Sequence, residues 1–267
     1  CRRFRVMICV ECGEPVNDTY RILEGGVIRV TRCESCKQVA DRYVEHEFVI
    51  IFLDLVLHKH QAYRHILFNR LDYQETFISP RILQLAFFVV LLDAYNKTQM
   101  RHMGGWGELA SVTHWQGYTP TLESWKEFGL LLIYSLVQLT LYVCALVWAA
   151  RLYFRSKYSF VKYNYLVMAI ILSNFGRGFL MLLMIWDYDD PYTFGAIVEL
   201  FIFSSNIVAI QVWMDQSTWV SVVITCVGWA ARFLFTLLVQ YVFAFTPTMG
   251  LLSPVRNSTT LVDLPVM

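Results

Sequence analysis

Two pairs of cysteines near the start of the chain most strongly limit how it can fold. Cys9 and Cys12 form the first C-x-x-C pair, and Cys33 and Cys36 form the second pair, twenty residues further on. A two-residue spacer lets both thiolates of a pair face one metal ion. This spacing is typical of a single tetrahedral zinc site, with two disulfides or unrelated thiols as the alternative.

The residues between the two pairs predict a β-hairpin. The strand-like runs Tyr20–Leu23 and Val27–Thr31 flank a turn that contains Gly25 and Gly26, and such a turn favours a short hairpin loop. Gly13 follows the first pair, where a tight turn favours a positive φ. We therefore predict a zinc ribbon over residues 1–43. Four thiolates leave no open coordination position, so the zinc would be structural rather than catalytic.

The excess of apolar residues predicts that the rest of the chain lies in a membrane. The sequence is 57% hydrophobic, with a mean hydropathy of +0.46, whereas an ordinary soluble domain is about 45–50% apolar. The excess is concentrated in long runs after residue 80. The net charge of +1 gives no reason to expect binding to nucleic acid. The predicted fold is thus a small zinc ribbon followed by an α-helical membrane domain of four to five spans.

The predicted spans form a transmembrane bundle over residues 128–245. Phe128–Ala150 has 23 residues without a charge, and Tyr165–Trp186 is the second span. The others are Phe194–Trp213, which is a polar span or a buried helix, and Trp219–Phe245. Residues 71–127 hold a further span, Ile78–Tyr95, and a linker, while residues 246–267 form a polar tail.

Residues 44–70 predict a helical segment that does not cross the membrane. Phe48–Leu57 is too short to span a bilayer, which takes about twenty residues, but its apolar residues keep helical spacing. We expect one or two amphipathic helices at the membrane surface or packed on the ribbon. His58 and His65 could share a helix face and bind a second metal ion. Hydrogen-bonded or solvated histidines are the favoured interpretation, because no carboxylate or cysteine completes a ligand set.

The distribution of charge between the spans predicts the topology. Four basic residues, Arg151, Arg155, Lys157 and Lys162, crowd one short loop, whereas the loop at 187–193 has no lysine or arginine. Positive loops lie on the cytosolic side, so the 97–127 linker would be lumenal and the ribbon cytosolic. The reducing cytosol would also keep the four thiols available for zinc.

Three N-x-T sequons report on this topology. With a cytosolic ribbon, Asn17 would remain unmodified. Asn96 would face the lumen and could be glycosylated, as could Asn257 if there are five spans. If Phe194–Trp213 does not cross, the tail would be cytosolic.

Three charged residues inside the predicted spans need partners. A central arginine costs about 2.5–3.5 kcal/mol on insertion scales, and Arg177, Glu199 and Arg232 all lie within apolar runs. Their positions along the helices bring them to the lumenal half, so we expect a buried ion cluster. It would either bind a lipid headgroup or sterol hydroxyl, or fasten helices together.

No catalytic motif is visible in the sequence. The acidic residues, among them Asp93 and Glu199, and the histidines are expected on both sides of the membrane, which argues against an enzyme site. The run from Val147 through Tyr153 to Arg155 fits a proposed sterol-contact pattern, which is a weak criterion.

The residues around the cysteine pairs resemble the Arv homology domain. Besides the pairs, the matching strings are Ile51–Asp54, Leu57–Lys59 and Gln61–Asn69, with a weaker match near Leu172–Gly176. That domain belongs to the Arv family of endoplasmic-reticulum membrane proteins. The resemblance implies a role in sterol and sphingolipid homeostasis and in intracellular sterol distribution, and a link to delivery of GPI-anchor precursors.

The resemblance also implies roles for individual residues. The four cysteines would bind zinc, and a polar face would either contact lipid headgroups or dock on the ribbon. This face comprises Asp54, Gln61, Tyr63, Arg64, His65 and Asn69.

We therefore expect a non-enzymatic, multi-pass protein of the endoplasmic reticulum whose partners are membrane lipids: sterol, sphingolipid or GPI precursors. The alternatives are an adaptor or scaffold that recruits a protein partner through the ribbon, and a membrane-embedded lipid-modifying enzyme.

Overall fold

The computed structural model begins with small β-hairpins and continues as helices. It describes residues 7–22, 28–70, 79–102, 122–154, 160–181, 191–214 and 217–245. The C-terminal tail with Asn257, the basic residues at 155–159 and most of the 97–127 linker lie outside these ranges.

Two antiparallel hairpins form the N-terminal part. In the first, β1 (Met7–Ile8) pairs with β2 (Pro15–Val16) around the first cysteine pair. In the second, β3 (Tyr20–Ile22) pairs with β4 (Ile28–Val30), which confirms the predicted hairpin; its turn lies outside the described residues. A bridge between Arg32 and Val39 encloses the second cysteine pair.

Short helices follow the hairpins. A 3-10 turn covers Arg42–Val44, α1 covers Phe48–Val56, and α2 covers His60–Arg64 before it continues as a π-helical turn to Arg70. We call the described residues 7–22 and 28–44 the cysteine domain. His58 has a φ of 57°, and this left-handed residue lies in the turn between α1 and α2.

Five long helices complete the fold. They are α3 (Pro80–His102), α4 (Leu122–Phe154), α5 (Phe160–Ser173), α6 (Pro191–Met214) and α7 (Thr218–Phe245). Within the described residues, three stretches are long and apolar enough to cross a membrane, namely Trp125–Phe154, Gly195–Met214 and Thr218–Val239. The predicted total of four to five spans is therefore supported for three of them.

The predicted continuous span over Tyr165–Trp186 is interrupted. The α-helix ends at Ser173, and a 3-10 helix follows over Asn174–Met181. The side chains of Ser173 and Asn174 both donate to the carbonyl of Ile170, at 2.8 and 2.7 Å. Such side-chain bonds compete with the regular helix ladder, which accounts for the change of helix type here.

One apolar core joins the cysteine domain to the long helices. Its buried members come from the N-terminal half (Val10, Tyr43, Ile51, Ala62, Tyr63 and Leu67) and from α5 and α6 (Ala169, Leu172, Ala209 and Val212). A second core lies among the long helices and includes Leu146, Leu166, Ile170, Ile210 and Ile224. Residues 44–70 are therefore packed both on the cysteine domain and on the bundle.

Candidate metal centre and buried polar sites

The four cysteines converge on one point. All four Sγ atoms lie within 4.8 Å of one another, with Cys9 to Cys36 and Cys12 to Cys33 each at 3.7 Å. A tetrahedral ion with metal–sulfur bonds of about 2.3 Å separates its sulfurs by about 3.8 Å, whereas a disulfide needs about 2.05 Å. The arrangement fits a single metal ion and does not fit disulfides.

Both cysteine pairs sit in equivalent turns. The N–H of Gly13 donates to the carbonyl of Cys9 at 2.9 Å, and the N–H of Lys37 donates to that of Cys33 at 3.1 Å. Gly13 has the expected positive φ, 81°, and Lys37 has 61°. The sequence does not predict the left-handed conformation of Lys37. Its structural equivalence to Gly13 becomes visible only in the fold.

Backbone hydrogen bonds and burial shift the pKa values of the cysteine thiols in opposite directions. The N–H groups of Cys36 and Ser35 bond the sulfur of Cys33 and lower the pKa of this thiol to about 7. Burial instead raises the pKa of the Cys9 thiol to about 12. Four thiolates therefore need a bound cation near neutral pH, as expected of a metal site whose ligands lose protons on binding.

Asp41 is the buried centre of the contact between the cysteine domain and the segment after α2. Its carboxylate is fully buried and accepts three bonds: from the N–H of Tyr43 at 3.0 Å, from His65 Nδ1 at 2.8 Å and from Asn69 Nδ2 at 2.7 Å. Asn69 also pairs with the backbone of Ile8, its amide accepting and donating at 3.0 Å. Sequence reasoning assigned no role to Asp41, since nothing in its local pattern distinguishes it from a surface turn residue.

Arg64 and Gln61 extend the same contact towards the first cysteine pair. Arg64 donates to the carbonyls of Val10 at 3.1 Å and Glu11 at 2.7 Å, and Gln61 donates to the Glu11 carboxylate at 3.2 Å. Four members of the predicted polar face thus contact the cysteine domain around Asp41 and the first cysteine pair: Gln61, Arg64, His65 and Asn69. These contacts favour docking over a headgroup-binding surface for those four residues.

Of the other two members of that set, Asp54 contacts the cysteine domain at a separate point and Tyr63 contacts the long helices. Asp54 accepts from the Tyr43 hydroxyl and from Lys59 Nζ, both at 2.7 Å. Tyr63 points away from the cysteine domain and shares a hydrogen bond with Ser205 of α6 at 2.7 Å.

Five charged residues from α3, α6, α7 and the 3-10 helix form one cluster. Arg232 binds Glu199 through two bonds of 3.1 and 3.0 Å, and Arg177 lies 4.0 Å from the same carboxylate. Arg177 also pairs with Asp93, which in turn pairs with Lys97. The expectation that Asp93 and Glu199 are scattered is therefore wrong, because α3 brings Asp93 beside Arg177. The five groups sum to one net positive charge.

The space inside this ion cluster is small. Lys97 also donates to Ser135 at 3.1 Å and to Gln138 at 2.8 Å. The adjoining cavity measures about 10 Å³, and the buried Tyr142 lines it. A cavity of this size holds a single water molecule at most. The cluster as it stands can fasten helices but has no room for a lipid headgroup.

Asn96 is a poor glycosylation site in this fold. It lies in α3 with only 8% of its surface exposed, so a glycan could not reach its amide without unpacking the helix. Asn17 is exposed on the cysteine domain, and Asn257 lies outside the described residues.

A groove on the described part of the chain lies between α4 and α7. Its volume is about 360 Å³, and its lining includes Trp148, Leu152, Tyr153, Trp219 and Val223. Tyr153 is the tyrosine of the sterol-contact pattern.

Comparisons with known proteins bear on the identity of the chain. The model of the Arv1-like family matches residues 8–210. The protein arv1 homolog of Dictyostelium discoideum is 41% identical, over 86% of this chain and 93% of that protein. Protein ARV1 of Homo sapiens is 29% identical over 78% of this chain and 72% of its own length. Protein ARV1 of Saccharomyces cerevisiae is 42% identical over a shorter stretch, 25% of this chain and 21% of that protein.

No solved structure matches the chain. The family match covers the cysteine cluster, the docked helices and α3 to most of α6, which together contain the sites described above. This chain belongs to the Arv1-like family.

Proposed function

We propose that this protein is a multi-pass membrane protein of the endoplasmic reticulum that binds sterol and mediates its transport and distribution within the cell. On this proposal it contributes to sterol and sphingolipid homeostasis and catalyses no reaction. Membership of the Arv1-like family and the three candidate spans support the proposal. The single observation that carries it is the groove between α4 and α7.

The shape and chemistry of this groove suit a sterol. Its walls are apolar and aromatic, and Trp148 and Trp219 stand 61% and 79% exposed at its edges. The two helices touch closely at Gly228, where an added Cβ would lie 2.7 Å from Leu146, and the groove opens beyond this crossing. A sterol is a rigid apolar body with one hydroxyl, and Tyr153 supplies a hydroxyl partner in an otherwise apolar site.

Photo-crosslinking with a sterol probe tests this proposal. In purified protein, we expect adducts on peptides that contain Trp148–Tyr153 or Trp219–Val227. Val223→Trp fills the groove and should abolish labelling there. Leu237→Trp adds the same bulk to another exposed position of α7 and should leave labelling intact. Labelling that is unchanged by Val223→Trp would overturn the assignment to the groove, and turnover of a labelled lipid would support the enzyme alternative.

We further propose that the metal is zinc and that its role is structural. Four thiolates are a donor set that zinc prefers, and they leave no position for a reactive water. Purified protein should contain one zinc per chain, and Cys33→Ser should lose it together with protease resistance of the cysteine domain, while the long helices still insert. Cys226→Ser removes an exposed cysteine of α7 and serves as the control. Full zinc content in Cys33→Ser would contradict the proposal.

A second candidate function is an adaptor or scaffold that handles lipids or GPI precursors with a protein partner. The observation in its favour is the outer face of β3, where Tyr20 and Ile22 are 40% and 67% exposed. On this alternative, Ile22→Lys would disrupt a partner complex but leave sterol labelling of the groove unchanged. Loss of function with intact labelling would favour the adaptor over direct sterol transport.

A further inference from the structure

We infer that α1 and α2 form a re-entrant hairpin that enters the membrane without crossing it, and that the outer face of α1 contacts lipid acyl chains. This inference rests on Gly195–Met214 being a membrane span, and it does not depend on sterol binding.

The contacts of α2 fix its depth against that span. Ser204 lies nine residues from Gly195 and ten from Met214, which is about 14 and 15 Å from either end at the helical rise. The hydrocarbon core is about 30 Å thick, so Ser204 lies near its centre whichever end faces the cytosol. His58 Nε2 lies 3.1 Å from Ser204 Oγ, and the Tyr63 hydroxyl lies 2.7 Å from Ser205 Oγ. The turn between α1 and α2 is therefore at mid-membrane depth.

Aromatic contacts place α1 at a similar depth. The ring of Phe52 packs against Phe175 with a centroid distance of 5.8 Å, and Phe175 packs against Phe201 at 5.7 Å. Phe201 in turn packs against His58 at 4.9 Å. Phe201 is six residues, about 9 Å, from Gly195 and thirteen residues, about 20 Å, from Met214. These edge-to-face ring contacts lie well inside the span.

The local geometry fits a hairpin that turns back. Helix α1 has nine residues and is about 14 Å long, so it can enter a bilayer but cannot cross it. His58 supplies the left-handed turn. The charges at the turn compensate each other, because Lys59 donates to Asp54 at 2.7 Å and the second Asp54 oxygen accepts from Tyr43. The Lys59 side chain is 44% exposed and that of Asp54 is 12% exposed. Pairing the two charges lowers the cost of placing them in a low-dielectric environment.

The two sides of α1 differ sharply. Ile51 and Leu55 belong to the apolar core, and the cysteine domain packs on the same hairpin through Gln61 and Arg64. The opposite side exposes four large apolar side chains: Val49 at 61%, Ile50 at 43%, Leu53 at 52% and Leu57 at 66%. At a similar depth α6 exposes Leu200 at 66%, as expected of a helix that faces lipid. Acyl chains are therefore the occupant that suits both surfaces.

Depth-dependent fluorescence quenching tests the inference in the full-length protein. A fluorescent non-canonical amino acid replaces Leu53, and the protein is reconstituted in phosphatidylcholine vesicles brominated either near the carboxyl end or near the middle of the acyl chains. Because Leu53 is exposed, the replacement should leave the fold and the zinc content intact. The same fluorophore at the exposed Ile22 of the cysteine domain is the control.

We expect the Leu53 probe to be quenched at least twofold more strongly by mid-chain bromine than by shallow bromine, and the Ile22 probe by neither. Stronger quenching by shallow bromine would place α1 at the membrane surface and overturn the inference. Absence of quenching at Leu53 would mean that protein or water covers the face, which also overturns it. The measurement uses no sterol, so its failure and a failure of sterol crosslinking remain distinguishable.

Discussion

The hydroxyl of Tyr63 and Oγ of Ser205 lie 2.7 Å apart in the protein interior, although 142 residues separate them in the sequence. Both side chains are fully buried, and the bond ties the α1–α2 hairpin to the middle of α6. The cysteine domain docks on the other side of the same hairpin. Tyr63 therefore links the segment on which the cysteine domain docks to the long helices.

Removal of this hydroxyl should weaken that link measurably. Tyr63→Phe leaves Ser205 without its partner and should reduce the free energy of unfolding by about 1 kcal/mol. Ser205→Ala should have a similar effect. The double variant should lose less free energy of unfolding than the sum of the two single losses, because both single changes remove the same hydrogen bond. Thermal unfolding in detergent provides the measurement.

A matched control is available in the same protein. The hydroxyl of Tyr163 is buried and has no hydrogen-bond partner among the described residues. Tyr163→Phe should therefore leave the unfolding midpoint unchanged or slightly higher. Strict additivity of Tyr63→Phe and Ser205→Ala would show that the two residues do not interact.

The position of Tyr63 also shows what the sequence could and could not reveal. At 100° per residue, Gln61, Arg64, His65 and Asn69 fall on one side of a helix, whereas Tyr63 falls on the other. The helical periodicity alone thus separates Tyr63 from the other members of the predicted polar face. Its partner Ser205 could not be identified, because nothing in a local pattern reports a contact between residues so distant in sequence.

The same limit applies to the ion cluster. Arg177, Glu199 and Arg232 stand out because each interrupts an apolar run, and the structure brings them together. Asp93 and Lys97 lie where the apolar run of α3 gives way to polar residues. From hydropathy alone, they are therefore interpreted as the polar end of a span. Their pairing with Arg177 depends on how α3 packs, which a single sequence does not encode locally.

Asp41 should be essential for docking of the cysteine domain. Asp41→Asn replaces one acceptor oxygen with a donor, which would face the N–H of Tyr43 or the donors of His65 and Asn69. We expect a loss of about 2 to 3 kcal/mol, because a buried donor is left unpaired. Limited proteolysis should then release the cysteine domain before the long helices are cut.

Asp18→Asn is the control for this change, because Asp18 is exposed in the same domain. It should retain the cleavage pattern of the unmodified protein. If Asp41→Asn gives the same cleavage pattern as Asp18→Asn, the buried Asp41 carboxylate does not hold the cysteine domain in place.

Gly176 and Gly178 offer a test of helix packing within one 3-10 segment. A Cβ at Gly176 would lie 2.8 Å from a ring carbon of Phe201, whereas a Cβ at Gly178 meets nothing within 4 Å. Gly176→Ala should destabilise the protein by about 1 to 3 kcal/mol through overpacking. Gly178→Ala should be close to neutral, and equal effects of the two changes on the thermal midpoint would contradict the close approach of α6.

The pair of Glu199 and Arg232 tests whether the ion cluster has a role beyond packing. Glu199→Gln leaves Arg232 without its bidentate partner and should cost about 3 kcal/mol. Replacing both residues by leucine removes both charges together and should recover much of the stability. If the stable double variant keeps sterol labelling of the groove, the cluster is a helix fastener. Lost labelling in a normally folded double variant would instead indicate a functional contact.

Glycosylation at the three sequons tests the proposed topology. With the cysteine domain in the cytosol, Asn17 should carry no glycan even though it is exposed. Asn96 should also remain unmodified, because α3 buries it, whereas Asn257 should be modified if the tail is lumenal. Asn→Gln variants, expressed in cells and compared by mobility before and after endoglycosidase treatment, identify each modified site. A glycan on Asn17 would place the cysteine domain in the lumen, and the re-entrant hairpin would then enter the bilayer from that side.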